Sequence, residues 1–219
     1  MVNAMKKLKR FAPLLGMLIF PVLGWIYAHT DKPKHHIYSL MTDLDRAIPL
    51  VKLFVVPYSV WIFYIYACLI YFFFKDINVY RRSLMTYAIC ALVCYGIYTV
   101  FQTTVPRPDI SGSDPVTRLL LFIYHRDEPF NCFPSIHCFS SFMVARALYA
   151  SSFRSKLNQS LIYSMSALII VSTFFVKQHT ILDAVCGILL ADLVYRTLLL
   201  LERLFKTHKS KPAVKQANM

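Results

Sequence analysis

Charge is scarce in this sequence, and acidic charge is scarcest. Only 16% of the 219 residues are Asp, Glu, Lys or Arg, where a soluble domain carries about a quarter. With 57% apolar residues and a mean hydropathy of +0.51, that shortage excludes an ordinary soluble domain. The cysteines are equally uninformative for metal chemistry: Cys68, Cys90, Cys94, Cys132, Cys138 and Cys186 include no Cys-x-x-Cys pair. Most lie in apolar runs, where a thiol behaves as a small hydrophobe. Cys132 and Cys138 flank a polar motif, and a disulfide between them is left open. Internal repeats and low-complexity linkers are lacking.

What is present is a succession of apolar stretches, and they predict an all-α membrane protein. Six read as transmembrane helices: residues 11–28, 49–74, 84–105, 134–150, 161–176 and 181–201. Each is long enough, or nearly so, to cross a ~30 Å core at ~1.5 Å per residue. Together they form one membrane domain over residues 1–206, followed by a basic, flexible cytoplasmic tail over 207–219. The first stretch follows Lys6, Lys7, Lys9 and Arg10 like a signal peptide, but no small-residue cleavage site follows it, so it counts as a span.

Basic residues set the orientation. With the N-terminus inside, sixteen of the 24 Lys and Arg fall on the inner side, and eight of the eleven acids fall outside. The net charge of +13 therefore sits wholly on the cytoplasmic half, an asymmetry that speaks for a bilayer and against nucleic acid as partner. Six spans put both termini inside. The triplet Asn158-Gln159-Ser160 then lies on an inner loop and stays unglycosylated. Two outer loops are long. Residues 31–48 carry Tyr38, Leu40, Met41 and Leu44 and suit the interface. Residues 106–133 contain Ser113-Asp114-Pro115, a helix start, which predicts a short interfacial helix between the third and fourth spans; a packed loop is the alternative.

The residues with chemical potential cluster at the outer ends of three spans: Arg107 between two prolines, Ser135 and His137 after Pro134, and Ser172 to Asp183 at the fifth-to-sixth junction. On the charge-derived topology all three land on one membrane face. His179 and Asp183 are four apart; on a helix the carboxylate would hold one ring nitrogen and leave the other to attack, unless it only caps the helix start. Ser135 opens a helix whose free N–H groups and dipole suit phosphate, and His137, one turn in, suits a proton donor or an interfacial histidine. Arg107 and Lys177 offer positive charge to phosphate oxygens, with headgroup snorkelling as the alternative, the preferred reading for Lys52. Acidic clusters of the kind that hold magnesium or zinc are lacking near these residues, so neither metal nor cofactor is expected.

At these positions the chain resembles the type 2 phosphatidic acid phosphatase superfamily. The matches are Arg107-Pro108, Pro134-Ser135-x-His137, and Ser172 with His179 and Asp183, in the family's order. The resemblance implies six helices around an extracytoplasmic site. It also implies a phosphohistidine on His179 positioned by Asp183, His137 as general acid, and Arg107 and Ser135 as phosphate ligands. Three positions depart from the pattern: Val100 replaces the family lysine, with Gln102 the nearest polar residue; Ile136 replaces the glycine; and Thr173 replaces the arginine, whose charge Lys177 supplies from elsewhere. The Pro-Ser-x-His form is similar to the subgroup of inositol phosphorylceramide synthase-like proteins. The expected function is hydrolysis of a lipid phosphate or diphosphate, independent of metal, at the plasma membrane. Transfer to a lipid or alcohol acceptor through the same histidine is the first alternative, and a non-catalytic membrane protein the second. Inside the bilayer, Arg146 and Asp192 are expected to face each other and lock two helices in register, with Arg196 the local alternative partner.

Overall fold

The computed structural model describes residues 9–30 and 36–210, the side chains of 207–210 excepted. It is mostly helical. Five helical stretches have the length and apolarity of membrane spans, the signature of an integral membrane protein: Lys9–Thr30, Lys52–Lys75, Ile77–Val100, Lys156–Phe175 and Ile181–Lys206. Their outward faces carry Leu15, Trp25, Phe63, Phe74, Leu189 and Leu193 exposed, the inverse of a soluble surface.

Helix α1 (Ile19–Thr30) follows a 3-10 stretch over Ala12–Leu18. The short helix α2 (Asp43–Ala47) precedes α3 (Val55–Ser59) and α4 (Trp61–Lys75). Helix α5 (Ile77–Val100) begins earlier than hydropathy predicts. Asp76 caps it by accepting the N–H groups of Asn78 and Val79, and buried Arg82 finds Glu202 and Tyr195, so this polar start is helical too. It also ends earlier than the expected 105. Residues 102–104 form strand β2 (Gln102–Thr104), paired in parallel with β1 (Ile37–Ser39) from the connection between the first two long helical stretches. The cause is local: β-branched Thr103, Thr104 and Val105 precede Pro106, and proline pushes the residue before it into an extended conformation. The 106–133 loop carries helix α6 (Pro115–Arg126), with Asp114 as N-cap and proline in its first turn. The last helix, α9 (Ile181–Ser210), runs past the expected boundary at 206; residues 211–219 of the expected tail lie outside the described residues.

Helix α7 (Ile136–Tyr149) departs most from expectation. At 14 residues it measures about 21 Å, short of the ~30 Å hydrocarbon core. It packs against α4, α5, α8 (Lys156–Phe175) and α9, and it buries Phe139, Met143, Val144, Ala147 and Leu148. Protein rather than lipid surrounds it, so its ends need not match the bilayer. Gly187 sets the α7–α9 approach: a Cβ there would stand 2.7 Å from the Ser135 carbonyl oxygen and 3.3 Å from Phe139 N. A second apolar cluster of Val55, Tyr58, Leu120 and Val176 joins α3, α6 and the end of α8.

Mid-helix charges are paired. Arg146 Nε donates to Asp192 Oδ1 at 2.9 Å, and Arg196 Nε reaches Asp192 Oδ2 at 2.7 Å, so Asp192 takes both candidate partners. Tyr195 lies under the guanidinium groups of both Arg146 and Arg82. Asn158 donates its amide to Tyr71 and to the Phe153 carbonyl while its Oδ1 caps α8. Cys132 and Cys138 are both free and buried, which closes the disulfide alternative.

Candidate active site

His179 sits in the turn between α8 and α9, outside both helices. The amides of Gln178 and His179 both donate to the Thr173 carbonyl, at 2.9 and 3.3 Å. Lys177 adopts the left-handed region at φ 54°, uncommon for a residue with a Cβ, and so folds the chain back. His179 Nδ1 lies 3.0 Å from the Cys132 carbonyl oxygen. A carbonyl only accepts, so Nδ1 carries the proton and Nε2 keeps its lone pair. Nε2 in turn lies 3.2 Å from His137 Nδ1, which therefore donates. One backbone carbonyl thus fixes the direction of both bonds. His137 is walled by Tyr58, stacked at 4.5 Å between ring centroids, and by Trp61 at 4.2 Å.

Asp183 is 1% exposed, and its carboxylate works mainly on the helix. Oδ2 accepts the Thr180 N–H at 2.7 Å while Thr180 Oγ1 accepts the Asp183 N–H at 3.2 Å, a reciprocal cap at the start of α9. His179 Nδ1 stands 3.7 Å from the same Oδ2, at ion-pair range but beyond a hydrogen bond. The four-residue helical spacing does not apply, because His179 precedes the helix. The bond that orients the ring comes from Cys132. The Cys132 thiol is pushed well above its ordinary pKa, first by burial and then by the charge of Asp183, so it stays protonated.

Ser135 is fully buried and caps α7 by accepting the Cys138 N–H at 3.2 Å, and its own N–H donates to the Asp183 carbonyl at 3.0 Å. That amide is therefore not free for an anion, contrary to the expected cradle. Arg107 is tied to the Tyr124 carbonyl at 2.8 Å, the Asp127 carbonyl at 2.6 Å and Gln178 Oε1 at 2.5 Å, and its guanidinium covers the Tyr124 ring. Burial pushes the Tyr124 phenol up to about 12, and it donates to the Val176 carbonyl. Lys177 donates to the carbonyls of Asp45, at 3.0 Å, and Ile48. Arg46, Arg107 and Lys177 line a cavity of about 460 Å³ with Met41 and Pro106. The remaining candidates are occupied elsewhere. Gln102 Nε2 donates to Asn131, and the hydroxyls of Ser172 and Thr173 return to carbonyls of their own helix. Polar side chains in helices satisfy themselves this way when no other partner is near.

Among the buried polar atoms without a hydrogen-bond partner are three on candidate-site residues: Arg107 Nε, Gln178 Nε2 and Asp183 Oδ1. Gln178 is 4% exposed and adjoins His179 in sequence. Leaving such a group unpaired costs about 1–3 kcal/mol. Two of the three are N–H donors, so the local imbalance favours an incoming acceptor. Gln178, Tyr58, Trp61 and the Cys132 carbonyl were not picked out from sequence, since none belongs to a polar pattern. Asp45 had a signal, the Thr42-x-x-Asp45 capping spacing. Among the described residues no group of three or more His, Cys, Asp or Glu is placed to hold a metal ion. Compared with protein-family models, with curated proteins and with solved structures, the chain gives no match.

Proposed function

We propose that this protein is a membrane lipid phosphatase that hydrolyses a lipid phosphate monoester through a phosphohistidine on His179, without metal. The observation that carries the reading is the histidine pair. His179 Nε2 holds a lone pair, His137 Nδ1–H points at it from 3.2 Å, and Gln178, the chain neighbour of His179, and its partner Arg107 each keep an unfilled buried donor. The mixed helical and extended frame brings together residues from four segments far apart in the chain, and chemistry is one reason for such convergence.

A phosphoryl group does not fit between nitrogens 3.2 Å apart, so substrate separates the rings. His179 Nε2 then attacks phosphorus, forming the N–P bond as the bond to the lipid oxygen breaks. That oxygen takes the proton of His137 Nδ1. The substrate brings the second proton this needs: a phosphate monoester monoanion protonates His137 as it binds, and His137 leaves the step neutral. Water next attacks the phosphohistidine, His137 accepts its proton, and phosphate departs. Gln178 Nε2 and Arg107 Nε bind the phosphoryl oxygens, where charge accumulates. The Asp183 carboxylate at ion-pair range favours the positive charge that His179 acquires.

In the proposed topology α7 is the sixth crossing beside the five longer helices, with both termini cytoplasmic. The histidines and α6 then lie at the extracytoplasmic interface of the plasma membrane. The test is a panel of lipid phosphates and diphosphates presented to purified protein, with and without chelator. Free phosphate and an acid-labile, base-stable phosphoprotein in the native chain, both lost in His179→Ala, support the reading. A new phospholipid in place of free phosphate moves it to a transferase. Indistinguishable behaviour of native and His179→Ala protein on every lipid ends it.

A further inference from the structure

Asp45 is 5% exposed, a buried carboxylate in the short helix α2, far in sequence from the histidines. Its Oδ1 accepts the N–H of Ile181, the first residue of α9, at 2.8 Å. Its Oδ2 accepts the Thr42 N–H at 2.8 Å and the Thr42 hydroxyl at 2.6 Å. Lys177 Nζ donates to the Asp45 and Ile48 carbonyls, and Val51 N–H donates to the Phe175 carbonyl at 3.0 Å. The turn that carries His179 is therefore held from the same segment at its entry, its middle and its exit. The Ile181 N–H is one of the donors a helix start cannot satisfy internally, and a carboxylate there also meets the positive end of the helix. Burying a charge for that purpose is costly unless its hydrogen bonds are complete, and both oxygens of Asp45 are engaged.

We propose that Asp45 is a positioning residue for His179: from the connection between the first two long helical stretches it fixes the turn over residues 177–181, and so the direction of the His179 ring, without touching substrate. This deepens the phosphatase reading and rests on it. Lys177 then belongs to the same clamp, its charge committed to two backbone carbonyls.

The test compares native protein, Asp45→Ala and Ile181→Pro in lipid nanodiscs, with Thr42→Ala as a control that leaves the Asp45–Ile181 bond intact. Proline is tolerated in the first helical position and deletes the one donor in question while keeping Asp45, so it decides the matter if Asp45→Ala fails to fold. Two quantities are read: kcat and KM for a short-chain lipid phosphate, and backbone hydrogen exchange over residues 177–181. Misplacing a reacting group by about an ångström costs about 10²-fold. The expected result is a kcat loss approaching that size in both Asp45→Ala and Ile181→Pro, KM within about threefold, and faster exchange confined to the turn. Asp45→Asn, which keeps one acceptor for the Ile181 N–H, recovers most of the rate. Unchanged exchange in the turn, a rise in KM with kcat intact, or an equal loss in Thr42→Ala overturns the proposal. If native protein hydrolyses no lipid phosphate, the phosphatase reading falls, and exchange alone decides whether Asp45 holds the turn.

Discussion

At the scale of single residues, the proposed chemistry gives the two imidazoles unequal tasks, and their substitutions should differ. His179→Ala is expected to abolish turnover, since no other group presents a lone pair at that point. His137→Ala is expected to slow turnover by about 10²–10⁴-fold, with the larger loss on poor leaving groups, because a proton donor matters most where the departing oxygen is basic. Steady-state rates on aryl and alkyl phosphates separate the two. Gln178→Leu removes a buried donor and the acceptor of Arg107 Nη2; a hydrogen bond to a charged group is worth about 1.5–3 kcal/mol, so KM should rise about tenfold or more. Asp45 offers a pH test. Burial acts to raise its pKa, but the bonds from Thr42 and Ile181 and the charge of Lys177 hold it below the ordinary 3.8. A carboxyl lowered in the folded state contributes stability above its unfolded value and loses it as pH falls through the folded one. Exchange over residues 177–181, corrected for intrinsic rate, should stay slow down to the ordinary carboxylate range and quicken only below it. Much of this site was legible: the two histidines, Asp183 and Arg107 stand in patterned positions. Gln178 was not, because a neutral amide next to a histidine has no spacing to mark it. Its meaning appears only when its partner and its orphan donor are located.

At the scale of elements, the helix α7–α9 contact governs the distance between the histidines. Gly187→Ala would place a methyl 2.7 Å from the Ser135 carbonyl, so α7 must shift outward. Overpacking of this kind typically costs about 1–3 kcal/mol. The expected outcome is a lower unfolding temperature together with a loss of turnover larger than stability alone explains, read by thermal melts and rates on the same preparation. Helix ends divide sharply by legibility. Apolar length located the cores of the spans, yet residues 77–83 were missed because the partners of Arg82 lie on another helix, and 101–105 were misread as helix because the pull of Pro106 competes with a hydrophobic run. The pairing of β1 with β2 joins residues 37–39 to 102–104, a separation that no local pattern encodes.

At the scale of the whole molecule, charge is layered. Three arginines on the helices are balanced by acids: Arg82, near the start of α5, by Glu202, and Arg146 with Arg196 by the single carboxylate of Asp192. Removing the shared acid should therefore hurt more than removing either base. Asp192→Leu strands two guanidinium groups and is expected to lower the melting temperature more than Arg146→Met, which leaves Asp192 its Arg196 partner. Equal shifts in detergent melts would mean the cluster is not coupled. The pairing of Arg146 with Asp192 was readable from their equal depths below the polar ends, whereas the sharing of Asp192 depended on rotamers.

The direct contact between His137 and His179 carries a last consequence. Each ring is the other's resting ligand, so in the proposed reaction a phosphate must first displace an internal competitor, and its apparent affinity is lowered because only the fraction of molecules with the rings apart can bind it. On the proposed chemistry, idleness is thereby built into the reaction centre itself. Acid and nucleophile neutralise one another until a substrate prises them open, and no separate gate is needed to keep the unladen protein quiet.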